Sequence, residues 1–193
     1  MKLLDTLNSQ EKNLFERKTF AKEDHLFLEG QICPGVFYLE SGEIEIASYS
    51  SSGKKIVYNQ IRAGELFGFN LVFSSDPHFR GNVIASVDGS LLSLSKDRLV
   101  GLLQSNSAFL EEYLKAQSDF GKSLNEKIKL LGFDSAQERL LFFLQTHQGK
   151  ATFASISDLA KRLFLERETL SRLVHRLEKE GKVILKKGTI ELA

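Results

Sequence analysis

Between Arg167 and Lys179 the residues Arg167, Glu168, Ser171, Arg172, His175, Arg176 and Lys179 recur as adjacent pairs about four apart, so on a helix they form one polar ridge. A helix fits the major groove of B-DNA, where an arginine can donate twice to a guanine edge and a glutamate can accept from a cytosine amine. The same spacing also suits a solvated face stitched by i, i+4 ion pairs, such as Glu168 with Arg172. A little further on, Lys186-Lys187-Gly188 separates two short apolar runs, Val183-Ile184-Leu185 and Thr189-Ile190-Glu191-Leu192. This is the pattern of a two-stranded wing whose basic tip either touches phosphate or keeps an exposed hairpin soluble.

Other chemistries find fewer of the residues they need. Cys33 is the only cysteine, which rules out an intrachain disulfide and leaves no cysteine-ligated zinc site or cluster. Serine is plentiful, yet no nucleophile motif such as Gly-x-Ser-x-Gly occurs. A cupin-like domain, binding a small molecule or running a metal-dependent reaction without DNA, is the main alternative. It needs clustered His and Glu on adjacent strands, and the strand-rich half offers only His25 and His78, well separated and with no His-x-His pair. A pure interaction module is a third option, but it leaves the Arg/Glu/Ser/Arg ridge and the wing unused. No catalytic or metal-binding residue is predicted, and the chain is not expected to be an enzyme.

These residues need elements to present them. For the ridge, Ile156, Leu159, Ala160 and Leu163 make one apolar stripe and Leu170, Leu173, Val174 and Leu177 a second, with Phe164-Leu165-Glu166 between. The spacing predicts two short helices joined by a tight turn. Upstream, an amphipathic helix is expected over 136–147, with Leu140, Leu141, Phe143 and Leu144 facing its core. Gly132-Phe133-Asp134-Ser135 reads as a hinge, in which glycine ends one helix and Asp134 or Ser135 caps the next. Helical character also begins at Ser95 and dominates 107–131, where Leu110, Leu114, Gln117, Gly121, Leu124, Ile128 and Leu131 alternate at spacings of four and three. That is the seam of a two-helix contact, and a rod of about 25 residues, nearly 40 Å, is too long for a small domain to bury alone. A symmetric dimer is the economical partner, the alternative being that the stripe packs on the rest of the same chain.

From Phe20 to Leu94 the chain is a series of short β-branched and aromatic runs, among them Val36-Phe37-Tyr38-Leu39 and Ile44-Glu45-Ile46. Glycines punctuate it at Gly30, Gly42, Gly53 and Gly64, each expected to supply a turn, and Ser50 to Lys55 reads as a hairpin loop. The predicted fold class is therefore α+β: an N-terminal double-stranded, jelly-roll-like β-roll over 1–106, a long dimerisation helix over 107–132 and a C-terminal winged helix-turn-helix over 133–193. The net charge of +1 hides an uneven distribution, because from Ser135 onward eleven Lys/Arg face seven Asp/Glu, leaving +4 there and −3 before it. A basic module on a slightly acidic body points to a polyanion partner for the module alone. No run approaches the ~18 apolar residues of a membrane span, and the apolar stretch at the start is too short for a signal peptide, so the expected location is the cytoplasm.

Leu159-Ala160-Lys161-Arg162-Leu163, Glu168-Thr169-Leu170-Ser171-Arg172-Leu173, Leu177-Glu178 and Gly181 resemble the helix-turn-helix signature of the CRP/FNR family of bacterial regulators. Asp134-Ser135-Ala136 with Arg139-Leu140 is similar to that family's approach to its DNA-binding domain. Phe27-Leu28-Glu29-Gly30-Gln31, Val36 to Leu39, Ser41-Gly42-Glu43-Ile44 and Gly64-Glu65-Leu66-Phe67-Gly68 follow its cyclic-nucleotide-binding roll. The resemblance implies base contacts from Arg167, Glu168, Ser171 and Arg172 and a phosphate contact from Thr169; Arg176 on the ridge and Lys186 and Lys187 on the wing are expected on the same DNA-binding surface from their own pattern. It also implies a homodimer on a palindromic double-stranded DNA operator with half-sites of the TGTGA or TTGAT kind, and RNA polymerase as a partner if the protein activates. Two positions depart from the family pattern: Phe164 stands where the turn usually has Gly, and Glu166 where a Ser cap is usual.

The family's effector pocket would fall on Gly64, Glu65, Phe69, Arg80, Gly81 and Asn82, with Gln117 and Gly121 from the long helix. Arg80 matches the arginine that pairs with a cyclic phosphate. Phe69, however, occupies the position of the glutamate that holds the ribose hydroxyl, and Gly81-Asn82 replace the usual Ser-Ala/Thr. Cyclic AMP is accordingly not the expected effector. An iron–sulfur cluster fails on the single Cys33, and haem would have to use His25, His78, His147 or His175. The effector is left unidentified.

Overall fold

A computed structural model describes residues 3–193, apart from the side chain of Tyr58. A 3-10 turn, Leu3–Thr6, and a one-turn helix α1, Ser9–Lys12, precede the strands β1, Glu16–Phe20; β2, His25–Phe27; β3, Gly35–Tyr49; β4, Lys55–Arg62; β5, Leu66–Phe67; and β6, Asn82–Ser95. All pairings are antiparallel: β1, β6, β3 and β4 lie in that order, β2 adds to β6, and β5 adds to β3. The roll is built on the 15-residue β3 and the 14-residue β6. Its core gathers Phe20, Phe37, Leu39, Ile44, Ile61, Phe67, Phe79, Val83, Ala85, Leu91 and the buried Cys33. Phe27 stands 4.6 Å from Phe79 and 4.8 Å from Phe37, and Phe37 stands 4.8 Å from Phe67, centroid to centroid. Such aromatic pairs contribute about 0.5–1.5 kcal/mol each beyond the area they bury.

Gly30, Gly53 and Gly64 adopt positive φ at turns, and the 50–55 hairpin lies between β3 and β4 as the sequence predicts. Gly42 differs from expectation. It lies inside β3 rather than between two strands, at φ 92, where the register against β6 shifts on both sides of Ser41. A Cβ there would come within 2.9 Å of the Asp88 carbonyl oxygen, so the glycine serves a bulge that bends one long strand.

Two helices follow, α2, Lys96–Ser105, and α3, Ser107–Gly132. The chain forms two compact units that divide within α3, one ending at Ser118 and the other beginning at Asp119. In the first unit α3 buries Phe109 and Tyr113. Along the seam Leu114, Leu124, Ile128 and Leu131 stay 54%, 42%, 65% and 53% exposed.

The second unit continues with α4, Ala136–Thr146; β7, Lys150–Thr152; α5, Ile156–Arg162; α6, Arg167–Lys179; β8, Val183–Lys186; and β9, Thr189–Leu192. Of the two candidate caps for α4 it is Ser135 that serves. Its hydroxyl accepts from the Glu138 N–H at 3.1 Å, while the Glu138 carboxylate accepts from the Ser135 N–H at 3.2 Å. One core joins Leu130, Leu140, Phe143, Leu144, Leu159, Ala160, Leu163, Leu170, Leu173, Val174, Leu177, Val183 and Ile190. Both predicted stripes contribute to it, with Ile156 only partly buried at its edge, and each fully buried Leu or Val contributes about 1.5–3 kcal/mol. The wing is a three-stranded sheet in the order β7-β9-β8, one strand more than the sequence suggests. The architecture is α+β, with an N-terminal antiparallel roll, a long helix and a C-terminal winged helix-turn-helix.

Candidate nucleic-acid interface

With Leu170, Leu173, Val174 and Leu177 turned into the core, helical geometry leaves Arg167, Glu168, Thr169, Ser171, Arg172, His175, Arg176 and Lys179 exposed on α6. Among the described residues no ion pair joins Glu168 to Arg172. The Arg172 Nε instead donates to the Glu168 main-chain carbonyl at 3.4 Å, so the Glu168 carboxylate is not spent on its neighbour. Arg176 is more engaged: Nη2 donates to Gln137 Oε1 at 3.1 Å, and Nε lies 3.9 Å from Glu180. Thr169, Arg172 and Arg176 share a groove of about 790 Å³ with Leu173 and with Ser135, Ala136, Gln137 and Glu138 from the start of α4. Sequence reasoning missed that contribution of α4. The signal was the Ser135/Glu138 capping box, which marks a helix N-terminus with main-chain N–H groups left over for an anion.

The two unusual residues sit at the two special positions of the turn before α6. Phe164 adopts φ 54, the left-handed conformation that glycine takes at low cost and other residues rarely enter. Glu166 is the N-cap of α6 and makes no side-chain capping bond. At the wing, Lys186 and Thr189 are cross-strand partners, and Lys187-Gly188 is the two-residue connection between them, with Gly188 at φ 73. Both lysines of the tip are exposed, and Lys186 lies 3.4 Å from Glu191. Glu191 also receives Lys150 of β7 at 2.8 Å. Hydrogen bonding from Lys150, then its charge and that of Lys186, hold the Glu191 carboxyl below its ordinary range.

The residues expected from the sequence to line an effector pocket are placed less coherently. Gly64 turns at φ 92, and the Glu65 carboxylate accepts from the Arg62 N–H at 2.8 Å. Phe69 is buried, and its carbonyl accepts from Tyr113 Oη at 3.1 Å and from Gln117 Nε2 at 2.7 Å. Arg80 is exposed and ion-paired with Asp76 at 2.5 Å, and Asp76 also bonds His78. The hydrogen bond from His78, followed by that from Arg80, lowers the Asp76 carboxyl from its ordinary range. Gly81 is buried, and Asn82 Oδ1 accepts from the Glu29 N–H at 3.2 Å. Gly121 belongs to the second compact unit, whereas the other seven residues belong to the first.

Residues 17–106 match the cyclic nucleotide-binding domain family and residues 131–187 the MarR family. The chain is 25% identical over 181 residues to the anaerobic regulatory protein of Bacillus subtilis, covering 88% of this chain and 76% of that protein. It is 24% identical over 182 residues to the cyclic AMP receptor protein of Thermus thermophilus, covering 92% and 84%. In fold it is similar to the CooA mutant structure from Carboxydothermus hydrogenoformans, with a TM-score of 0.73, 20% identity and coverage of 100% and 90%. It is also similar to the Thermus thermophilus catabolite activator protein, with a TM-score of 0.58, 23% identity and coverage of 100% and 94%. These relatives are regulators, which leaves the cupin-like alternative without support, and no helix of the described residues is long and apolar enough to cross a membrane. A cyclic-nucleotide-binding-type roll followed by a winged helix-turn-helix, with regulators as relatives across nearly its whole length, gives the chain the organisation of a CRP/FNR-type DNA-binding transcription regulator.

Proposed function

We propose that the protein acts as a cytoplasmic homodimer that presents two copies of α6 to a palindromic DNA operator, under the control of an effector other than cyclic AMP. In this reading residues 1–106 sense, 107–132 dimerise and 133–193 bind DNA, and RNA polymerase is a partner if the outcome is activation. The protein carries out no catalysis. Arg167, Glu168, Ser171 and Arg172 read base edges, while Thr169, Lys186 and Lys187 contact phosphates. Arg176, held by Gln137 and Glu180, supports the same surface.

The observation that carries this reading is the ridge on α6, whose Glu168 and Arg172 are exposed and, among the described residues, not ion-paired with each other. The test is selection of bound duplexes from a random pool, followed by affinity measurements on Arg172→Ala. The expected site is a palindrome with half-site centres about 10–11 base pairs apart. Arg172→Ala should cost about 1–3 kcal/mol and relax preference at one position of each half-site. A pool without a palindrome, or an equal loss of affinity for every sequence, overturns the assignment.

A further inference from the structure

We propose that Arg139 is a positioning residue that ties the link after α3 to the turn of the helix-turn-helix, and so sets how α6 is presented to DNA. Arg139 lies in the first turns of α4. Its Nε and Nη2 both donate to the Phe133 carbonyl at 3.1 Å, and its Nη1 donates to the Phe164 carbonyl at 3.1 Å. Among the described residues these bonds go to main-chain carbonyls and none goes to a carboxylate, so the side chain is used for its geometry rather than for charge pairing. A guanidinium holds its donors in a rigid planar fork, which fixes the separation of two acceptors; the single nitrogen of a lysine does not.

The two carbonyls are informative. Phe133 directly follows α3, and Phe164 is the left-handed residue of the turn that aims α6. That turn lacks both of its usual local supports, a glycine at the left-handed position and a side-chain cap on α6. Backbone bonds from Phe164 N–H to the Lys161 carbonyl at 3.2 Å and from Leu165 N–H to the Ala160 carbonyl at 2.9 Å close it on the α5 side. Arg139 supplies the bond from outside the α5–α6 pair. A displacement at the end of α3 is thereby passed to the turn through one planar group.

This inference rests on α6 being the element that reads DNA, and the experiment separates the two. Full-length protein is measured against the selected duplex and a scrambled duplex, as wild type, Arg139→Lys, Phe164→Gly, the two combined, and Arg172→Ala. Arg139→Lys should weaken the selected duplex about tenfold, the loss of a charged hydrogen-bond pair, with the scrambled duplex changed less than about twofold and melting still cooperative. Adding Phe164→Gly should restore most of that loss, because glycine holds the left-handed conformation unaided. Unchanged selectivity in Arg139→Lys, or a loss for both duplexes in step with lost cooperative melting, or no recovery with Phe164→Gly, overturns the proposal. If Arg172→Ala leaves selectivity intact, it is the base-reading assignment that fails.

Discussion

Phe69, which the family resemblance sets where a ribose hydroxyl would need an acceptor, offers it only a ring side chain, and its carbonyl already accepts from Tyr113 and Gln117. An unpaired hydroxyl there costs about 1–3 kcal/mol. Arg80, which the family resemblance matches to an arginine that pairs with a cyclic phosphate, is exposed and held by Asp76, so a phosphate would have to displace a carboxylate to reach it. Titration calorimetry with cyclic AMP should therefore show no saturable binding below millimolar concentration. A micromolar dissociation constant would refute this. The identity of Phe69 was legible in the sequence, but the Asp76 pairing was not, because nothing in residue spacing says which way an exposed arginine turns.

The wing illustrates the same point for an element. Lys186 and Lys187 are neighbours in sequence, yet Lys186 shares Glu191 with Lys150 while Lys187 sits in the connection itself. Lys187→Ala should flatten the salt dependence of DNA binding by about one unit of slope, and Lys186→Ala by less, because Glu191 already neutralises that lysine. Equal slopes for the two variants would mean that DNA displaces Glu191. The two later strands were readable from Val183 to Leu192 because a basic turn divides two apolar runs. Strand β7 was not, since the three residues Lys150-Ala151-Thr152 are too few to show alternation, and their pairing with β9 is non-local. Gly42 was visible as a glycine, but a bulge and a turn ask for the same residue, and only the pairing of β3 with β6 distinguishes them.

For the whole molecule, the exposed Leu114, Leu124, Ile128 and Leu131 along α3 are the apolar surface that a second copy would cover. Leu124→Glu combined with Ile128→Glu should give folded monomers in analytical ultracentrifugation, and those monomers should lose preference for a palindrome over a single half-site. A folded double variant that stays dimeric places the interface elsewhere. The four-three spacing in the sequence already singles out these four residues, and the structure leaves them exposed. The sequence also carried the uneven charge, +4 from Ser135 onward against −3 before it.

Cys33 is the only thiol of the chain, 3% exposed in the core of the roll, with its Sγ 3.1 Å from the Gly35 carbonyl and burial raising its pKa. A thiol that is both shielded and protonated reacts slowly. The rate at which a small thiol-specific reagent labels this protein is therefore a built-in clock for opening of the roll, readable by mass without introducing any probe and, in the presence of candidate small molecules, slowed by whichever of them the roll binds.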